Sequence, residues 1–176
     1  MAIIVIIHQI GKHFRQMAKQ FESRTDARRL KLIVSAGLAA ASTLLFLALI
    51  FEDIGDLADS DWSNLPIGMI VRYIVAMGLG GAIAGYALSN LFGRPGLLGW
   101  ALSLIGGVIA ATFAGLLGSA IGLLPDLLSD GLQSRDIVAV GAGVLVLPLA
   151  LIGWPVLLPI WAGLISLVHL LATRLR

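Results

Sequence analysis

The chain has 176 residues, 59% of them apolar, with a mean hydropathy of +0.98 and only 12% charged residues. Soluble domains carry about a quarter charged residues, and one of this size could not cover so much apolar surface, so a soluble globular protein is excluded. The net charge is only +2 and cysteine is absent, which removes disulfide and thiolate chemistry and gives no reason to expect a nucleic-acid partner.

Residues 1–22 have the phase of an amphipathic surface helix. Ile3, Ile6, Ile7, Ile10, Phe14, Met17 and Phe21 share one side, and Lys12, Arg15, Lys19 and Glu22 the other. Such a basic helix suits the membrane interface, and its apolar face could equally pack on the protein itself or on a partner. The apolar start, Met1–Ile7, is short and lacks a basic region before it, so no cleavable signal is expected. Ser23-Arg24-Thr25-Asp26 has the spacing of a capping box, and is expected to end the surface helix and start the next. Arg28, Arg29 and Lys31 then precede a first uncharged span at about 32–51, long enough for a hydrocarbon core of roughly 30 Å.

Glu52 to Asn64 is an acidic loop with Trp62 as an interfacial anchor. Its carboxylates match no EF-hand spacing, so a solvated loop is expected over a cation site. A second span runs over 65–92 and a third over 97–124, joined by the tight turn Gly93-Arg94-Pro95-Gly96. Pro125 to Asp136 reads as a second polar loop. The stretch 137–173 is about 55 Å as one straight helix, longer than a bilayer needs. Pro148, Pro155 and Pro159 interrupt it, with the break expected at Gly153-Trp154-Pro155. It is either one kinked span or a hairpin of two short ones.

Charge placement favours the single span. Lys12, Arg15, Lys19, Arg24, Arg28, Arg29, Lys31, Arg94, Arg174 and Arg176 fall on one side of a four-span arrangement. The acids from Glu52 to Asp136 fall on the other. The positive-inside rule then places both termini and the Arg94 turn in the cytoplasm. The expected fold is all-α: a polytopic bundle of four transmembrane helices over 32–173, with an N-terminal amphipathic surface helix.

The third span carries the clearest pattern. Ser103, Gly107, Ala111, Gly115 and Ser119 recur every fourth residue, and Gly106, Ala110, Ala114, Gly118 and Gly122 form a parallel row. Residues four apart share a helix face, so the two rows make a broad glycine-zipper strip. In lipid such strips let backbones approach closely. Gly106, Gly107, Ala110, Ala111, Gly115 and Gly118 are therefore the expected helix-packing residues.

Few residues suggest chemistry. Arg72 is the one ionisable side chain inside the spans proper, about 9 Å beyond Pro66 along a helix. It can snorkel to the interface, pair with a carboxylate of the acidic loop, or contact a substrate or ion. His169, His8 and His13 lack metal spacing. Tyr86, Ser89 and Asn90 could hydrogen-bond between helices. Gly78-Leu79-Gly80-Gly81 follows no strand and is not a phosphate loop. Hydrolase and metalloprotease motifs are absent from the sequence, and neither catalysis nor a cofactor is expected. Gly80-Gly81-Ala82-Ile83-Ala84 and Gly106-Gly107-Val108-Ile109-Ala110 echo one another on antiparallel helices, as inverted repeats do in some transporters.

The segment Met77–Gly118 resembles the small transglycosylase-associated membrane proteins of bacteria. The likeness lies in Gly78 to Gly85, the Gly93-Arg94-Pro95-Gly96 turn, and the run from Ile105 through Ala111 to Gly118. It covers about a quarter of the chain and implies a packed hairpin, with no catalytic residues. The expected function is a non-enzymatic accessory or assembly subunit of the bacterial inner membrane, offering its small-residue strip to a membrane-protein partner or a second copy. A small oligomeric transporter or channel is the alternative.

Overall fold

The computed structural model describes residues 25–48, 67–131, 133–153 and 155–176. The amphipathic segment 1–22, the Ser23 end of the capping box, the acidic loop with Trp62, and Trp154 lie outside the described residues. Among those described, the chain is all-helical, with no strand. Four helical segments are long and apolar enough to cross a membrane: Thr25–Ala48, Ile67–Leu91, Gly96–Gly122 and Ser134–Gly153. A shorter apolar helix, Leu157–Thr173, follows. The fold is that of a multi-pass helical membrane protein.

The helix α1 spans Thr25–Ala48 as described, so Arg28, Arg29 and Lys31 ride on its first turns, just before the uncharged span. Lys and Arg are good helix formers, and their long stems let the charged heads reach water from a helical backbone. Helices α2 (Ile67–Leu88) and α3 (Gly96–Gly122) form an antiparallel hairpin. Its turn contains a 3₁₀ segment, Ser89–Leu91, then Phe92, which is fully buried. Gly93 follows with φ +73°, and a Cβ there would lie 2.7 Å from the carbonyl carbon and oxygen of Ala172. Both the left-handed backbone and the close approach require glycine.

Beyond α3 the structure departs from the expected loop. A helix α4 (Leu124–Asp130) occupies its first half. Pro125 sits in the first turn of α4, where the missing N–H would have had no intrahelical partner. Helix α5 (Ser134–Ala142) begins with the Gln133 N–H donating to Asp136 Oδ2 at 2.8 Å. This is the reciprocal half of a capping box.

The long terminal stretch is divided. A 3₁₀ turn, Gly143–Leu145, links α5 to α6 (Val146–Gly153), and α7 (Leu157–Thr173) follows Pro155. Each proline is placed where it costs little. The residue four before Pro148 is Val144, inside the 3₁₀ turn, where the α-helical bonding pattern is already interrupted. Pro159 falls in the first turn of α7.

The course of this stretch is readable from its contacts. Gly143 meets Gly115 and Ser119 in the C-terminal part of α3. Ala172 meets Gly93 at the α2–α3 turn. Residues 134–173 therefore start beside one end of α3 and finish beside the other, as a single broken crossing does. The Arg176 guanidinium donates to the Asn90 carbonyl, and both line a cavity with Asp26. The described start of α1, the hairpin turn and the C-terminus thus share one end of the bundle, here termed the near end. The core runs between the helices through Val34, Leu38, Phe92, Ala110, Ile165 and Ala172.

Candidate functional site

The two small-residue rows of α3 are the interior of the protein. Its buried residues are Gly99, Ser103, Gly106, Gly107, Ala110, Ala111, Ala114, Gly115, Gly118 and Gly122. Ser119 alone among the row members is half-buried. The rows serve different neighbours. A Cβ on Gly118 would lie 2.7 Å from the sulfur of Met77 on α2, and one on Gly122 would strike the Tyr73 ring. On the other row, a Cβ on Gly107 would lie 2.9 Å from Ile165 and 3.1 Å from Trp161, both on α7. A Cβ on Gly115 would strike the backbone carbonyl of Gly143 and lie 3.0 Å from Val146. The strip is therefore covered by the chain's own helices. Within the protomer the strip thus serves helix packing, with Ser119 its one half-buried member.

A second strip lies on α2. Gly81 and Gly85, four residues apart, admit α1: a Cβ on Gly81 would lie 2.6 Å from the Leu38 carbonyl oxygen, and one on Gly85 2.8 Å from the Ser35 Cα. At that separation the Ser35 hydroxyl donates to the Ala82 carbonyl at 2.7 Å. Sequence reasoning missed this α1–α2 contact, although its signal was present as a Gly-x-x-x-Gly spacing. The echoed glycine pairs behave alike. Gly80 and Gly106 turn into the hairpin, against Ala114 and Phe92, while Gly81 and Gly107 receive the flanking helices α1 and α7.

At the far end, Arg72 is half-buried and donates to the Gly122 carbonyl at 3.4 Å. It meets a C-terminal carbonyl of α3, a group without an intrahelical partner and at the negative end of the helix dipole. The adjacent Tyr73 ring covers Gly122 and stacks on Phe46 of α1, with centroids 5.3 Å apart and an interplanar angle of 18°. Arg72 and Tyr73 together hold three helices at this end.

At the near end, His169 is buried in α7. The Gly93 N–H donates to its Nδ1 at 3.3 Å, and the ring lies against Trp100 with centroids 4.6 Å apart. An accepting Nδ1 places the proton of the neutral ring on Nε2. His169 thus ties α7 to the hairpin turn. Ser89 donates to the Tyr86 carbonyl within its own turn at 3.0 Å, and Tyr86 lies under the Lys31 ammonium at 4.7 Å. It is the Asn90 carbonyl that works between segments, accepting from Arg94 Nε at 2.9 Å and from Arg176 at 3.0 Å. His8 and His13 lie outside the described residues. Among those described, no group of three His, Asp or Glu could hold a metal ion.

Comparison of the chain with protein-family models, curated proteins and solved structures finds no match.

Proposed function

We propose that this chain is a non-enzymatic accessory or assembly subunit of the bacterial inner membrane, with both termini in the cytoplasm. The observation that carries the reading is the closeness of the interior packing. Gly80 meets the Ala114 Cα, Gly81 the Leu38 carbonyl and Gly115 the Gly143 carbonyl, backbone against backbone. Among the buried polar side chains, Ser89, Ser103 and His169 are each hydrogen-bonded to nearby backbone. A bundle packed this way suits a scaffold. Because the small-residue strip is used inside the protomer, partner contacts fall to the outer apolar faces. The most regular of these is the row Ile67, Val71, Val75, Leu79 and Ile83 on α2, each residue at least half exposed.

The orientation rests on the clustering of basic residues at the near end, where Arg28, Arg29, Lys31, Arg94, Arg174 and Arg176 all fall. Reporter fusions at Arg94 and Arg176 should read cytoplasmic and one at Gly131 external. The alternative, an oligomeric transporter or channel, draws on the matched docking roles of the two glycine pairs. Native mass spectrometry of the mildly solubilised protein separates the two readings. A stable complex with unrelated chains is expected. A homo-oligomer that conducts ions in liposomes would overturn the accessory reading.

A further inference from the structure

Two guanidinium groups converge on one oxygen at the near end. Arg94 Nε and an Arg176 terminal nitrogen both donate to the Asn90 carbonyl, at 2.9 and 3.0 Å. A carbonyl has lone pairs for two donors, but it carries no net charge to offset two cations. Their donating nitrogens are thereby held within about 6 Å of each other, where like charges repel. Each guanidinium retains further N–H groups in the fork geometry that suits phosphate oxygens.

Asp26 belongs to the same place. It lines, with Asn90 and Arg176, an open cavity of about 410 Å³, within the roughly 300–1,000 Å³ typical of ligand pockets. Among the described residues the one ion pair is Arg135–Asp136, so there Asp26, Arg94 and Arg176 each lack an ionic partner. Leu30 and Leu175 supply an apolar wall. The cavity lies where the apolar helices end, at the level of a bilayer's headgroups.

We propose that this cavity binds a phospholipid whose headgroup carries a phosphodiester and a primary amine. The phosphate lies on Arg176, which lines the cavity, and on Arg94, which shares the Asn90 carbonyl with it; the ammonium lies on the Asp26 carboxylate, and the first carbons of an acyl chain along Leu30 and Leu175. Two cations alone would favour any anionic headgroup. The carboxylate in the same cavity disfavours a purely anionic one and favours a headgroup with its own N–H donors. The inference is independent of the accessory-subunit reading, because it requires only that the helices span a bilayer.

The test uses the full-length protein in mixed micelles containing equal amounts of phosphatidylethanolamine, phosphatidylglycerol and phosphatidylcholine. Retained lipid is counted by native mass spectrometry. One phosphatidylethanolamine should be retained at least several-fold over the other two. R94Q with R176Q should lower that retention about tenfold, and D26N should shift the preference toward phosphatidylglycerol. Millimolar inorganic phosphate should displace nothing. Displacement by phosphate would assign the arginines to a free anion and overturn the lipid. Equal retention of the three lipids by the wild type would overturn the proposal, as would wild-type selectivity in D26N. A readout free of variants is the wild-type melting temperature, which phosphatidylethanolamine should raise more than phosphatidylglycerol does. An equal rise would overturn the preference for an amine.

Discussion

Helix α3 and the stretch Ser134–Gly153 are both apolar enough to span a membrane, and the second is slightly the more apolar. Yet 39% of the α3 window is buried inside the protein against 17% of the other. Hydropathy and burial run in opposite directions here. In water apolarity would drive burial. In lipid it does not, because the tails are as apolar as the side chains, and close packing decides instead. Two rows of small residues give α3 that packing, whereas the later stretch buries only Gly143, Leu147 and Ala150.

The comparison breaks first at Gly115. Gly115→Ile forces side-chain carbon into the Gly143 backbone, which cannot rotate away. A loss of about 3 kcal/mol or more is expected, above the usual 1–3 for overpacked cores, where side chains can yield. It would be read as a fall in the melting temperature in detergent. Leu116→Ile, one position on and half-buried, should cost under about 1.5 kcal/mol.

Gly93→Ala should follow. It places a Cβ on a left-handed backbone and against the Ala172 carbonyl, at a cost of about 1–3 kcal/mol. Because Ala172 is on α7, the variant should loosen the C-terminal helix while leaving the α2–α3 hairpin paired. Limited proteolysis releasing a C-terminal fragment would show this, and uniform loss of protection would contradict it. His169→Leu keeps the volume apolar but leaves the Gly93 N–H without its acceptor, at about 1–3 kcal/mol. Emission from Trp100 should shift, since its ring contacts His169.

Much of this was legible because it depends on residue size and spacing alone. The rows on α3, the hairpin turn and the break around Pro155 all follow from small residues, glycine and proline. What the rows pack against was not legible, since any large residue can fill a groove. Nothing local marks Met77, Tyr73, Trp161 or Ile165 as the occupants. Helix α4 was missed because Asp126 and Asp130 read as loop polarity, whereas Pro125 suits a first helical turn. Arg72 was expected at the interface, on a carboxylate, or on a substrate or ion. Its contact with the Gly122 carbonyl depends on the register between α2 and α3, which the two segments do not specify separately.

Arg72→Lys is the smaller perturbation. A long bond to one carbonyl at a helix end is worth about 0.5–1.5 kcal/mol, and Lys can reach the same terminus. Near-wild-type stability is expected, with a larger loss in Arg72→Leu. If Arg72→Lys alone abolishes function while stability holds, the fork geometry serves a ligand, which would favour the transporter reading.

The central claim is that glycine matters in this bundle where it admits a neighbour. Gly163, exposed in the interior of α7, tests it against Gly115, since a Cβ there would meet nothing within 4 Å. The melting temperatures of Gly115→Ile and Gly163→Ile should be measured side by side in the same detergent. The account predicts a fall of several degrees for Gly115→Ile and little change for Gly163→Ile. Equal falls, or a larger one for Gly163→Ile, would mean that the strip on α3 is not what holds the helices together.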